Sequence, residues 1–316
     1  MNICINVADL TPRHRSRLES ALAGHPLVFL RTLADEGARA GALAKAEIVF
    51  GNVPAAALVA GPVLRWAQLD SAGFDSYLGV NAARSRPILI THLKNFFAMP
   101  VAESVLAGVL AFHRQLPLLL RAQPEKRWIK TAVEPTIGQL HGARVLILGA
   151  GAIGRKVAAL LAPFDTTLRF FARRAPDAQV RTLGQLDAAL PSTDLLINTL
   201  PQTPETVGLL SRSRLALLPA SALVVNVGRG SAVDEDALVE ALDGGRLGGA
   251  VLDVTAIEPL PATSRLWTHP KVILTQHTGG RFPGEVDAKI DRFLENFARF
   301  ARGEELHDQI DAARGY

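Results

Sequence analysis

Three side chains able to move protons or bind anions stand at the ends of apolar runs in the second half of this chain. His277 lies in Gln276-His277-Thr-Gly-Gly280, just after the run 272–275. An imidazole can give or take a proton near neutral pH. Glu258 lies in Asp253-Val-Thr-Ala-Ile-Glu258-Pro-Leu-Pro261, after the run 249–254. The flanking prolines restrict that loop and so fix the carboxylate's surroundings. Arg229 lies in Asn226-Val227-Gly228-Arg229-Gly230, after 223–227. Its planar fork suits a carboxylate. Taken singly, each has an ordinary explanation: a solvated turn arginine, a surface loop carboxylate, a turn histidine. Together, at the ends of strands of one sheet, they stand where ligands collect in open α/β sheets. A carboxylate bonded to the imidazole orients the ring and favours its protonated form, an acid ready to protonate a carbonyl oxygen.

A fourth feature supplies a place for phosphate. The segment Arg144-Val-Leu-Ile-Leu-Gly149-Ala-Gly151-Ala152-Ile153-Gly154 runs from an apolar, strand-like stretch into a G-x-G-x-x-G turn, and a helical pattern follows over 155–162 up to Pro163. Such a turn, set between strand and helix, cradles the pyrophosphate of a dinucleotide. Gly149 is expected to allow the tight turn, Gly151 to let the backbone approach the phosphates, and Gly154 to let helix and strand pack closely. The free N–H groups at the helix start then hold the anion.

These residues need a scaffold, and the alternation of patterns describes one. Apolar runs at 3–7, 28–33, 48–51, 66–70 and 88–92 read as strands, with helical patterns at 11–24 and 35–45 between them. A second series begins at Arg144, with strands at 145–148, 167–171, 195–200, 223–227, 249–254 and 272–275 and a helix at 234–242. The segment 99–121 carries an apolar face at helical spacing and reads as one long linking helix, followed by a polar loop over 123–137. Val286, Ile290, Phe293, Leu294, Phe297 and Phe300 form the core-facing stripe of a final helix. Strands alternating with helices predict α/β architecture with two doubly wound parallel-sheet lobes. The first is a flavodoxin-like substrate domain over 1–94, completed by the C-terminal helix 285–316. The second is a Rossmann dinucleotide-binding domain over 95–284.

Composition narrows the function classes. At 316 residues and 48% hydrophobic content, the chain can build two substantial cores. It has a single cysteine, Cys4, so no intrachain disulfide can form, and a cytoplasmic location is expected. Cys4 sits in an apolar run and reads as a buried strand thiol. The net charge of +4 comes from scattered basic residues among 30 acidic ones, with no Lys/Arg block, which argues against nucleic acid as a partner. No signal sequence and no membrane span is expected. The scattered histidines and single cysteine offer no ligand cluster, so no metal site is expected.

The order and spacing of these motifs resemble the D-isomer-specific 2-hydroxyacid dehydrogenase family along nearly the whole chain. The resemblance rests on Gly149-Ala-Gly-Ala-Ile-Gly154, Leu200-Pro201-Gln-Thr-Pro-Glu-Thr206, Asn226-Val-Gly-Arg-Gly230, Gly249-Ala-Val-Leu-Asp-Val254 with Glu258-Pro-Leu-Pro261, and Gln276-His-Thr-Gly-Gly280. Ser71-Ala72-Gly73-Phe-Asp75 is similar to the family's substrate-side loop, and Val101-Ala-Glu103 to the start of its linking helix. Phe112-His113-Arg114 on that helix is similar to the glyoxylate/hydroxypyruvate reductase branch.

The resemblance implies reversible reduction of a small 2-keto acid to the D-2-hydroxy acid by a nicotinamide dinucleotide. Arg229 is then the binder of the substrate carboxylate and keto oxygen, His277 the acid/base and Glu258 its partner. Asp253 holds the nicotinamide carboxamide. Backbone groups at Ala72 and Gly73 seat the substrate carboxylate. Gly149, Gly151, Ala152, Ile153 and Gly154, with Leu200, Pro201, Thr206, Val227, Gly228, Gly279 and His277, complete the cofactor site. A homodimer formed through nucleotide-domain surfaces is also implied.

Two positions depart from the family pattern. The residue before the histidine is usually proline and here is Gln276, a change expected to alter only the local turn. After the second Rossmann strand, the acid that binds ribose hydroxyls in NAD-using members is replaced by Ala172-Arg173-Arg174. Two guanidinium groups suit a 2′-phosphate. NADP(H) is therefore the expected cofactor, with NAD(H) possible. Phe50, Asn52, Phe74 and Phe96 are candidates for lining the substrate's side-chain pocket. Two other readings share the fold: a nucleotide-sensing corepressor-like protein, and a formate or phosphonate dehydrogenase.

Overall fold

The computed structural model describes residues 1–310 and divides the chain into two compact units, 1–96 with the segment from 282 onward, and 97–281.

The first unit is a parallel sheet of β1 (Ile3–Ile5), β2 (Leu27–Phe29), β3 (Ile48–Phe50), β4 (Trp66–Gln68) and β5 (Leu89–Thr91), in the order β2-β1-β3-β4-β5. That order is the flavodoxin one. Helices α1 (Pro12–Ala21), α2 (Glu36–Leu43) and α3 (Ala55–Ala60) connect the strands. β1, β3 and β4 are buried on both faces, which explains their unbroken apolar runs. Phe50 and Phe74, candidates for a pocket lining, are instead core residues. Phe50 is fully buried and stacks on Phe293 at 4.2 Å between ring centroids. Phe74 lies against the buried His92 ring at 4.8 Å.

The second unit begins with α4 (Ala98–His113), α5 (Leu116–Ala122) and α6 (Lys130–Val133). The single long helix expected over 99–121 is two helices bent by 65°. Proline lacks an N–H and crowds the carbonyl four residues earlier. Here Pro117 frees the His113 carbonyl, which instead accepts the Gly138 N–H at 2.9 Å, and Gln115 turns the chain with φ +56°. The segment expected as a plain loop over 123–137 contains α6 and a 3-10 turn at Glu134–Thr136. No single helix is long and apolar enough to cross a membrane among the described residues.

Its parallel sheet holds β6 (Arg144–Leu148), β7 (Thr167–Phe171), β8 (Leu195–Asn198), β9 (Leu223–Asn226), β10 (Gly249–Leu252) and β11 (Val272–Leu274), ordered β11-β10-β9-β8-β6-β7. Helices α7 (Ala152–Leu161), α8 (Leu183–Ala189), α9 (Arg212–Leu215) and α10 (Glu235–Asp243) join them. Beyond β7, Phe171 forms a parallel bridge with Val180, a one-residue remnant of the third strand of a Rossmann sheet. Strand order reverses between β6 and β8, the position where such sheets bind nucleotides. α4 packs closely on β10. A β-carbon on Gly249 would lie 2.0 Å from the Phe112 ring, and one on Gly108 would lie 2.6 Å from Val251.

The final helix α11 (Glu285–Ala301) belongs to the first unit. Phe293 stacks on Phe50 and Trp66, and the buried Asn296 donates to Gln68 at 2.9 Å. The helix does not run on to 316. Gly303, at φ +71°, ends it, and the chain returns along β5 with Ile310 N–H on the Ile90 carbonyl. Residues 311–316 lie outside the described residues.

Candidate active site

The expected site residues of the second unit stand on loops at the carboxyl-terminal edge of its sheet or, for Ala152, Ile153 and Gly154, in the first turn of α7. β6 ends at Gly149, whose φ of +105° only glycine adopts freely. A β-carbon on Gly154 would lie 2.2 Å from the Gly149 carbonyl oxygen, so α7 can sit close to β6. A β-carbon on Gly151 would meet nothing within 4 Å. Gly151 is also the N-cap of α7, with no side chain capping the helix. Uncapped N–H groups facing open space fit a pyrophosphate. Ala152 opens the helix and Ile153 packs on the core.

Arg173 and Arg174 follow β7 directly. Glu205, from the loop after β8, comes within 3.7 Å of Arg173, and both side chains are more than half exposed. A carboxylate from another loop thus reaches the Arg173 guanidinium. Hydrogen bonding from Thr203 and the field of Arg173 hold Glu205 below the usual carboxylate range. Leu200 and Pro201 open that loop. Thr206 ties it together, donating to the Pro201 carbonyl at 2.7 Å and accepting the Thr203 N–H at 2.8 Å.

A buried asparagine pair fixes the Arg229 loop. Asn198 donates to Asn226 Oδ1 at 2.9 Å, which also accepts the Gly228 N–H, while Asn226 Nδ2 donates to the Arg229 carbonyl. The glycines around Arg229 permit tight packing rather than open room. A β-carbon on Gly228 would lie 2.6 Å from the Leu200 carbonyl oxygen, and one on Gly230 would lie 1.9 Å from Thr255. Arg229 is half-buried and its Nη1 donates to the Gly228 carbonyl.

Thr255 links this loop to the next. Its N–H donates to Glu258 Oε1 at 3.0 Å, and Glu258 Oε2 meets His277 Nδ1 at 2.7 Å. Both side chains remain partly exposed, 38% for Glu258 and 56% for His277. They line a cavity of about 400 Å³ with Asp253, Trp267 and Gln276. Glu235, at the start of α10, accepts the Ala256 N–H, and burial together with the charges of Asp236 and Glu258 holds it above the usual carboxylate range.

Asp253 organises the histidine turn. Its Oδ1 accepts Thr275 Oγ1 at 2.6 Å, the Thr278 N–H and the Gly279 N–H. Its backbone carbonyl accepts the His277 N–H at 2.6 Å. Ser104 of α4 caps the turn at the Gly279 carbonyl. These contacts support two successive left-handed residues, Gln276 at φ +52° and His277 at φ +55°. Such a conformation costs about 1–3 kcal/mol per residue and persists only where its surroundings enforce it. Gln276 therefore does more than vary a turn: a proline, fixed near φ −65°, could not take its place in this geometry.

In the first unit, Ala72 and Gly73 follow β4. Asn52 holds the loop, its Nδ2 donating to Ser71 Oγ at 3.0 Å, and is thus a loop anchor. Sequence reasoning missed Asn198, Thr275, Ser104 and His92. Polar side chains at or just past the ends of apolar strands were the available signal for Asn198, Thr275 and His92. Nothing local marked Ser104.

A sequence model of the family described as "D-isomer specific 2-hydroxyacid dehydrogenase, NAD binding domain" matches residues 106–279. A glyoxylate/hydroxypyruvate reductase A of Yersinia enterocolitica is 35% identical over 224 residues, 69% of either chain. A solved D-isomer specific 2-hydroxyacid dehydrogenase family protein from Aeromonas salmonicida superposes with a TM-score of 0.81 at 30% identity, covering 98% of this chain and 99% of that one. One from Xanthobacter autotrophicus, solved with NADPH and MES, gives 0.78 at 29% identity, covering 100% and 99%. The chain belongs to the D-isomer specific 2-hydroxyacid dehydrogenase family, and it is an NAD(P)H-dependent oxidoreductase of 2-hydroxy acids.

Proposed function

We propose that this enzyme reduces hydroxypyruvate to the D-2-hydroxy acid, or glyoxylate to the achiral glycolate, and prefers NADPH. The observation that carries the reading is the Glu258–His277 hydrogen bond on the cavity wall, on a loop held against that of Arg229. The dinucleotide, when bound, supplies hydride to the keto carbon from nicotinamide C4. His277 gives the proton: Glu258 engages Nδ1, which leaves Nε2 to protonate the carbonyl oxygen. Arg229 stabilises the charge that develops on that oxygen and binds the carboxylate. The N–H groups of Ala72 and Gly73 take further carboxylate contacts. Asp253 Oδ2 keeps lone pairs for the carboxamide, since it shares only the Gly279 N–H.

Arg173 and Arg174 support the NADPH preference, as does the NADPH complex of the Xanthobacter relative. The glyoxylate/hydroxypyruvate reductase relatives support the substrate class. A cytoplasmic homodimer is part of the same proposal. Trp128, 91% exposed, lines one surface cavity of the second unit with exposed Leu119 and Ile137, and Leu116 and Leu120 are exposed on the same helix as Leu119; these residues offer an apolar dimer surface. The test is turnover with a panel of 2-keto acids and both cofactors, alongside formate oxidation. Turnover with formate alone would replace this reading.

A further inference from the structure

The loop Ser71–Gly73 has its backbone set by the end of the neighbouring strand. β5 ends at Thr91, and the next two residues reach back to this loop. His92 Nδ1 donates to the Ala72 carbonyl at 2.8 Å, and the Leu93 N–H donates to the Ser71 carbonyl at 3.0 Å. The His92 ring is itself held. It is buried, with the Phe74 ring against it at 4.8 Å and its own N–H on the Asp308 carbonyl.

Both peptide bonds of the loop are trans, so each N–H points opposite to the carbonyl of the same unit. The carbonyls of Ser71 and Ala72 are drawn toward residues 92–93. The N–H groups of Ala72 and Gly73 must then face away from them. Among the described residues neither N–H has a hydrogen-bond partner. Two adjacent, unengaged N–H groups aimed one way make an anion-binding concavity.

We propose that His92 is a positioning residue for the substrate carboxylate: by holding the Ala72 carbonyl it fixes the direction of the Gly73 N–H. It touches neither substrate nor cofactor. This inference rests on the keto-acid reading given above. Burial, outweighing the Ala72 carbonyl and the Asp308 carboxylate, pushes His92 below the ordinary histidine range. A neutral ring carrying its proton on Nδ1 makes the contact, and so does the protonated ring.

The test compares wild type, His92→Phe and His92→Asn in reduction of glyoxylate and of its uncharged methyl ester. Phe keeps a ring against Phe74 but has no donor. Asn returns a donor close to the position of Nδ1. The expected result for His92→Phe is a glyoxylate KM raised roughly 10- to 100-fold, the loss of one donor to a charged group. Its kcat and NADPH KM stay within about threefold of wild type, on the principle that lost uniform binding raises KM alone. The preference for glyoxylate over the ester shrinks by the same factor, and His92→Asn recovers most of it. A merely structural role would not move that preference. An unchanged glyoxylate KM in His92→Phe overturns the proposal, as does a loss falling equally on acid and ester. If His92→Phe does not fold, His92→Asn decides: acid preference near wild type supports the proposal, and preference lost in a folded protein overturns it. Failure of wild type to reduce glyoxylate at all would instead overturn the underlying function.

Discussion

His277 Nδ1 and Glu258 Oε2 lie 2.7 Å apart, and the other oxygen of the same carboxylate is held by the Thr255 N–H. The carboxylate is thereby fixed from its own loop and presents one oxygen to the ring. In the assigned roles Glu258 orients the imidazole by engaging Nδ1, so that Nε2 is the atom that delivers the proton. Glu258→Ala removes that contact and should lower kcat for keto-acid reduction while leaving the KM for NADPH close to wild type. Glu258→Gln keeps the size and an oxygen able to accept from Nδ1, and should retain more of the activity. Steady-state kinetics of the three proteins are the check. Wild-type kcat in Glu258→Ala would leave Glu258 a purely structural part of its loop.

Cofactor choice should follow the arginines after β7. Each charge-assisted contact to a 2′-phosphate is worth about 1.5–3 kcal/mol. Replacing Arg173 and Arg174 with alanine should raise the KM for NADPH far more than that for NADH. Glu205, 3.7 Å from Arg173, forms a solvent-exposed pair whose screened attraction is too weak to cancel that preference. A higher wild-type kcat/KM with NADH would contradict the assignment.

The left-handed turn at Gln276 makes a further claim testable. Gln276→Pro forces φ from +52° toward −65° and should displace His277 from Glu258. We expect a large fall in kcat with thermal stability no better than wild type. Gln276→Gly accepts the observed φ and should retain activity. Full activity in the proline variant would show that the turn adopts another conformation.

The thiol of Cys4 should be inert. It is 2% exposed on β1, and burial pushes it up to about 11. The thiolate is the reactive form, so at pH 8 a thiol reagent should modify the native protein only as fast as β1 opens. Full modification should follow denaturation. Rapid labelling of native enzyme, with loss of activity, would contradict this burial.

What could be read from the chain was local. G-x-G-x-x-G announces its own turn, and the strand-end positions of Arg229, Glu258 and His277 follow from the apolar runs before them. Contacts between distant segments were not legible. Asn198 and Asn226 pair across strands, and Asn296 meets Gln68 from 228 residues away. The break at Gln115 was written in Pro117, but the apolar periodicity that continues past it masked the signal. Phe50 and Phe74 looked available for a pocket because residue type alone does not tell a core ring from a lining one. Gln276 looked like a neutral exchange because its sign of φ depends on the Asp253 contacts around it.

The most direct test of the account is the kcat of His277→Ala with hydroxypyruvate and NADPH against that of wild type. Proton transfer from a positioned side chain is typically worth about 10²–10⁴-fold, so the variant should be slower by a factor in that range. Its affinity for NADPH, measured by titration, should be close to wild type. Near-normal turnover in His277→Ala would contradict the central claim that this histidine, held by Glu258, is the proton donor of the reaction.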